Sequence, residues 1–179
     1  MTGMDLRQPL VRRLNLEDRV GKDKVRRYLI QCSLASVVVL ILLLVLDAVT
    51  QTVLIAALGA STFIAFAIPR SLQSGPRYLI GGYVVGILIG CLMGTLDSAL
   101  SFSDAMIAHA VMILFGALAI GLAMFVMVIT RTEHPPAVAL ALGLVLNEWN
   151  MLTIGVVFVG VLALSVCKQL VLPHLLDLH

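Results

Sequence analysis

The apolar stretches of this chain come in two lengths, and that alternation restricts its fold more than any other feature. They occupy 28–46, 53–68, 78–96, 105–130, 135–147 and 151–172. A membrane-crossing helix needs about 20 apolar residues, with a range of roughly 17–25. The first, third, fourth and sixth stretches meet that length. The second, with 16 residues, is marginal, and the fifth, with 13, is too short to cross unaided. With 60% hydrophobic and 12% charged residues the chain is far from the soluble norm, which is about 45–50% apolar and 25% charged. The reading is an all-α polytopic membrane bundle of four long transmembrane helices and two short or broken ones.

The loops set the number of crossings. Residues 1–27 form a basic segment with eight Lys/Arg against four acids; it reads as a positive cytoplasmic flank, the alternative being a short surface helix with an apolar edge of Val11, Leu14, Val20 and Val25. Arg70 and Arg77 lie in the second loop, Arg131 precedes the fifth stretch and Lys168 ends the sixth. Asp47, Asp97, Asp104 and Glu148 fall in the alternate loops. Basic loops face the cytoplasm, so six crossings with a cytoplasmic N-terminus bring every basic loop to one side. No signal-peptide pattern precedes the first stretch. The expected location is the inner (plasma) membrane, with a membrane domain at 28–172 and a short tail at 173–179.

The order long, short, long then repeats, in halves of about 28–96 and 105–172. Three crossings per half make the repeats inverted. Short or Gly/Pro-interrupted segments in matching positions of two inverted halves point to a transport site.

Both short stretches carry chemistry. The fifth opens with Arg131-Thr132-Glu133-His134-Pro135-Pro136. Neither proline has an N–H to donate, and the residue before a proline is driven out of the α region. His134 is therefore expected to be extended, with a helix starting at Pro135 or Pro136. That leaves Ala137 and Val138 as the N–H groups at a positive helix end, where an anion binds readily. The second stretch contains Gly59-Ala60-Ser61-Thr62. A break at Gly59 would start a second half-helix whose Ser61 and Thr62 face the first; an ordinary small-residue packing face is the competing reading. His134 would donate to the anion or carry a proton with it, or else serve as a structural cap. Glu133, Arg131 and Arg70 are entrance or proton-linked candidates.

Gly82, Gly86, Gly90 and Gly94 recur every fourth residue and line one helix face, where another backbone can approach closely. That strip is architectural, and it permits a homo-oligomer. Asn147 and Asn150 read as helix-end residues and Trp149 as an interfacial anchor, while His109 is a minor lining candidate. Cys32, Cys91 and Cys167 stand singly among apolar residues, so neither a metal site nor a disulfide is indicated. No cofactor, nucleotide or hydrolase motif occurs, and basic residues gather only at the membrane flank, so neither an enzyme nor a nucleic-acid partner is indicated.

At His134-Pro135-Pro136-Ala137 the sequence resembles the HPP family of integral membrane proteins. The likeness extends to Gly59-Ala60-Ser61 before a proline-containing loop and to Gly81-Gly82, and covers most of 28–172. The family is described with four membrane helices. Chloroplast and cyanobacterial members are associated with nitrite transport, and some bacterial members carry an added CBS region, which these 179 residues do not contain. Where the family commonly reads His-Pro-Pro-Ala-Gly-Ala-Thr, this chain has Val138 and Leu140, which removes a close backbone approach and a hydroxyl. The resemblance implies a transporter or channel for a small inorganic anion, nitrite or nitrate. A membrane scaffold or sensor module with a structural HPP turn is the alternative.

Overall fold

Residues 26, 29–38, 52–100 and 102–175 are described by the computed structural model. They form six helices: α1 (Leu29–Val38), α2 (Thr52–Ala67), α3 (Pro76–Ala99), α4 (Ala105–Thr130), α5 (Pro135–Leu146) and α6 (Met151–Val171). Short 3-10 turns at Leu72–Ser74 and Leu172–His174 complete the order. Among the described residues α3, α4 and α6 are long and apolar enough to cross a membrane, while α2 and α5 are shorter apolar helices. The chain is thus a multi-pass membrane protein. Of the remaining expected long helix, 28–46, residues 29–38 are described and the rest lie outside the described residues, as does the basic segment 1–27 apart from residue 26.

The helix boundaries have local causes. Gly75 is extended before Pro76, which takes the first helical position of α3 with its φ already suited to a helix. Asp104 caps α4 through Oδ1, accepting from the N–H groups of Met106 at 2.8 Å and Ile107 at 3.2 Å. α4 closes with Arg131 left-handed at φ 53. The Arg131 N–H donates to Val128 O at 3.3 Å and that of Thr132 to Met127 O at 2.9 Å, a Schellman closure on a non-glycine residue. Asn150 and Thr153 cap each other across the start of α6, a capping box.

α5 is the centre of the bundle, touching α2, α3 and α4. Its tightest neighbour is α3. A Cβ on Gly82 would lie 2.6 Å from the Cβ of His134, one on Gly90 would lie 2.9 Å from Ala141 O, and one on Gly94 2.8 Å from Leu144 O. The glycine strip therefore exists to let α3 lie against the α5 backbone. Inside lipid the hydrophobic effect does not drive helices together; dispersion contacts do, and they need this proximity. α4 lies furthest out. Gly116, Ala119, Ala123 and Met127 face inward, while Ile113, Leu114, Leu118, Phe125 and Ile129 stay exposed, as lipid-facing residues do. His109 is also exposed, away from any lining.

Register along α3 shows how deep α5 sits. Gly82 lies six residues beyond Pro76, which at ~1.5 Å per residue sets His134 about 9 Å inside the start of α3. Gly94, against Leu144, lies five residues before Ala99 and α5 runs two residues past Leu144, so α5 stops about 4–5 Å short of the far end. α5 is recessed at both ends.

The expected break at Gly59 does not occur: α2 runs as one helix from Thr52 to Ala67. A glycine inside a helix costs about 1 kcal/mol relative to alanine but does not by itself interrupt it. Neighbouring Leu and Ile carry the helix through. A Cβ at Gly59 meets nothing within 4 Å, so Gly59→Ala should raise the unfolding midpoint by a few degrees, corresponding to roughly 0.5–1 kcal/mol. A lower midpoint in a thermal melt would restore a bent α2.

Candidate functional site

The start of α5 is a closed polar cluster drawn from four elements. His134, extended at φ −139 and ψ 97, precedes the two prolines and is 1% exposed. Its Nδ1 lies 3.1 Å from Gln73 O in the 3-10 turn, and a carbonyl only accepts, so Nδ1 carries a proton. Its Nε2 lies 2.9 Å from Ser61 Oγ on α2. Ser61 Oγ is also 2.8 Å from Tyr83 OH on α3 and 3.0 Å from Ala57 O. The Tyr83 ring leans on the imidazole at 5.7 Å between centroids, tilted by 44°.

The residues singled out in the sequence fall into three groups. Ser61 and His134 meet directly. Thr62, buried beside them, turns its hydroxyl back to Leu58 O at 2.9 Å, a helix-interior bond. Ser61 and Thr62 therefore stand mid-helix in α2, nine and ten residues from its start at Thr52, and no second helix N-terminus faces the first.

Pro136 and Ala137 are buried, Val138 half-buried and Pro135 exposed. The Ala137 N–H donates to His134 O at 2.9 Å, and the helical pattern directs that of Val138 to the same carbonyl. In this conformation α5 offers no vacant N–H at its start. Arg131 and Arg70 are exposed at this end, and Glu133 is half-buried.

Two residues outside the expected set belong here. Tyr83, 0% exposed, follows Gly82 in the packing strip, so a phenol beside a glycine contact was the available signal. Lys168 on α6 donates from Nζ to Ser74 O at 3.0 Å, next to the carbonyl that holds His134. Its place at the end of an apolar stretch read only as a loop charge.

The opposite end of α5 is open. A cleft of about 570 Å³ lies among Gly94, Asp97, Ser98, Asn147, Glu148 and Trp149. Asn147 ends the helix there, its Nδ2 donating to Gly143 O at 2.8 Å. The two ends also differ in charge. Arg70, Arg77, Arg131 and Lys168 lie at the His134 end, and Asp97, Asp104 and Glu148 at the other.

A family model described as HPP, transmembrane region, matches residues 21–176. No curated protein and no solved structure matches the chain.

Proposed function

The chain belongs to the HPP family of transmembrane proteins, and from that premise we propose that it carries a small inorganic anion, nitrite or nitrate, along α5. The observation that carries this reading is the asymmetry of α5. One end is sealed by the Ser61–Tyr83–His134 cluster, and the other meets a cleft of about 570 Å³. Ionisable and polar groups at membrane depth are costly and mark solute or proton pathways. A recessed helix with one closed and one open end has the form of a transporter in an occluding state. His134, Ser61, Thr62 and the first turn of α5 then line the passage once the cluster opens.

Several features support the finer parts of the proposal. The basic end, with Arg70, Arg77 and Arg131, faces the cytoplasm by the distribution of Lys and Arg, giving an inner-membrane protein with a cytoplasmic N-terminus. The contacts support inverted halves, since α2 lies against α5, α3 against α6, and the α3–α5 contact has its counterpart in α6–α2. The sign of the solute is supported by burial: among the described residues the buried charged side chain is a cation, Lys168 at 4% exposed.

The test is nitrite and nitrate flux into proteoliposomes, with empty liposomes as the baseline. Saturable uptake of either anion is the expected result. Absence of flux for every small anion would establish the scaffold reading instead, in which the HPP turn merely joins α4 to α5.

A further inference from the structure

The cleft beyond the end of α5 brings three helices together around one volume. At about 570 Å³ it falls within the roughly 300–1,000 Å³ of small-molecule sites. α3 contributes Gly94 and Asp97, α4 contributes Met112, and the chain leaving α5 contributes Asn147, Glu148 and Trp149. Gly94 decides the shape. A Cβ there would lie 2.8 Å from Leu144 O and 3.4 Å from the indole Nε1 of Trp149. The missing side chain thus seats the indole edge against α3, one turn before Asp97.

The polar lining accepts more than it donates. Ser98 Oγ is spent on Gly94 O at 2.8 Å and Thr95 Oγ1 on Leu92 O at 2.9 Å. Asn147 commits Nδ2 to Gly143 O at 2.8 Å, which leaves its Oδ1 to accept. The carbonyls of Leu144, Val145 and Leu146 follow at the negative end of the α5 dipole. The Asp97 and Glu148 carboxylates complete the acceptor wall, and Met112 and Val145 add apolar surface. The membrane domain has no cation of its own to place here. Between Arg27 and Lys168 the sequence holds three Lys/Arg, which are Arg70, Arg77 and Arg131, and all lie at the His134 end.

We infer that this cleft binds an organic ammonium ion, with its charge on Asp97, Glu148 and Asn147 Oδ1 and its alkyl groups against Trp149 and Met112. A cation completes the carboxylates, and tryptophan is the side chain whose ring face attracts a cation most strongly, within about 6 Å of its centroid. A bare metal ion fits less well. The volume is far larger than one ion needs, and among the described residues no three His, Cys, Asp or Glu side chains stand together. An inorganic anion would meet two carboxylates and a helix C-terminus, so the occupant is opposite in sign to the solute proposed above. The inference is therefore independent of the transport reading. Free amines and the headgroups of zwitterionic lipids share this chemistry, and the experiment separates the two sources.

Trp149 is the chain's one tryptophan, so its fluorescence reports on this cleft alone. The purified full-length chain in detergent is titrated with choline chloride. Sodium chloride is the ionic-strength control, and the carbon isostere of choline, with a tert-butyl group in place of trimethylammonium, is the uncharged control. A saturable change in emission, matched by saturable heat in calorimetry, is expected with choline alone. Asp97→Asn should weaken choline binding about tenfold and the more exposed Glu148→Gln several-fold. The amides keep the shape of the acids, so the loss reads charge rather than fold. Trp149→Phe, followed by calorimetry, should also weaken binding several-fold. No saturable choline response by either method overturns the site, as does an equal response to either control or wild-type affinity in both amide variants. Choline binding lost in micelles carrying phosphatidylcholine but kept with phosphatidylglycerol assigns the ammonium to a lipid headgroup. Binding kept with both lipids assigns it to a free amine, and the site stands in either case. Nitrite flux without choline binding removes the site alone, and choline binding without flux removes the transport reading alone.

Discussion

Gly86→Val should abolish the assembled bundle, while Gly121→Ala and Gly155→Ala should leave it intact. A Cβ on Gly86 collides with the Ala137 carbonyl, a backbone atom of α5, and its neighbours on α3 leave no slack: Gly82 meets His134 and Gly90 meets Ala141 and Leu144. An overpacked core site costs about 1–3 kcal/mol where side chains yield. Here a backbone must yield, and the displacement spreads to every rung between His134 and Leu144. Gly121 and Gly155 are also helical glycines, yet a Cβ at either meets nothing within 4 Å, so alanine there gains about 1 kcal/mol of helix propensity. Monodispersity on size exclusion and thermal melts in detergent compare the three variants. A well-folded Gly86→Val with a wild-type midpoint would refute the α3–α5 contact.

That contrast also explains which features were legible beforehand. A four-residue glycine period announces a close helix approach, and the Pro-Pro pair fixes both the extended His134 and the start of α5, because each acts through its own backbone. The break at Gly59 was misread for the complementary reason. A glycine permits a bend without requiring one, and only the open space around it decides. Tyr83 and Lys168 were passed over because their significance is relational. Tyr83 matters since Ser61 stands 2.8 Å away on another helix, and Lys168 because Ser74 O, in the turn after α2, stands 3.0 Å from its Nζ. The closure of the Ala137 N–H on His134 O is likewise a turn geometry that composition does not encode. The alternation of longer and shorter apolar helices among the described residues, by contrast, needed only segment length.

His134→Ala should lower the melting midpoint and reduce saturable nitrite uptake at least tenfold, and a proton count gives the reason. Ser61 Oγ has one hydrogen and three partners: Ala57 O, Tyr83 OH and His134 Nε2. With Nδ1 already protonated toward Gln73 O, a neutral imidazole leaves Nε2 as an acceptor, so the Ser61 hydrogen goes to Nε2 and Ala57 O gives it up. A protonated imidazole donates from Nε2 instead, the Ser61 hydrogen returns to Ala57 O, and Tyr83 donates to Oγ in both states. The cluster thus has two hydrogen-bonded arrangements of one geometry, and they differ by the His134 proton. Alanine at 134 leaves the part-buried Gln73 O without its donor, at less than the about 1–3 kcal/mol of a fully buried unsatisfied group, and adds a cavity term at the buried imidazole site. It also removes the only proton-accepting side chain in the cluster. Ser61→Ala should act through the same bonds, so the double variant should lose less stability than the sum of the two singles. Additive losses, or nitrite uptake unaffected by His134→Ala, would show that the imidazole and the Ser61 hydroxyl do not work as one latch.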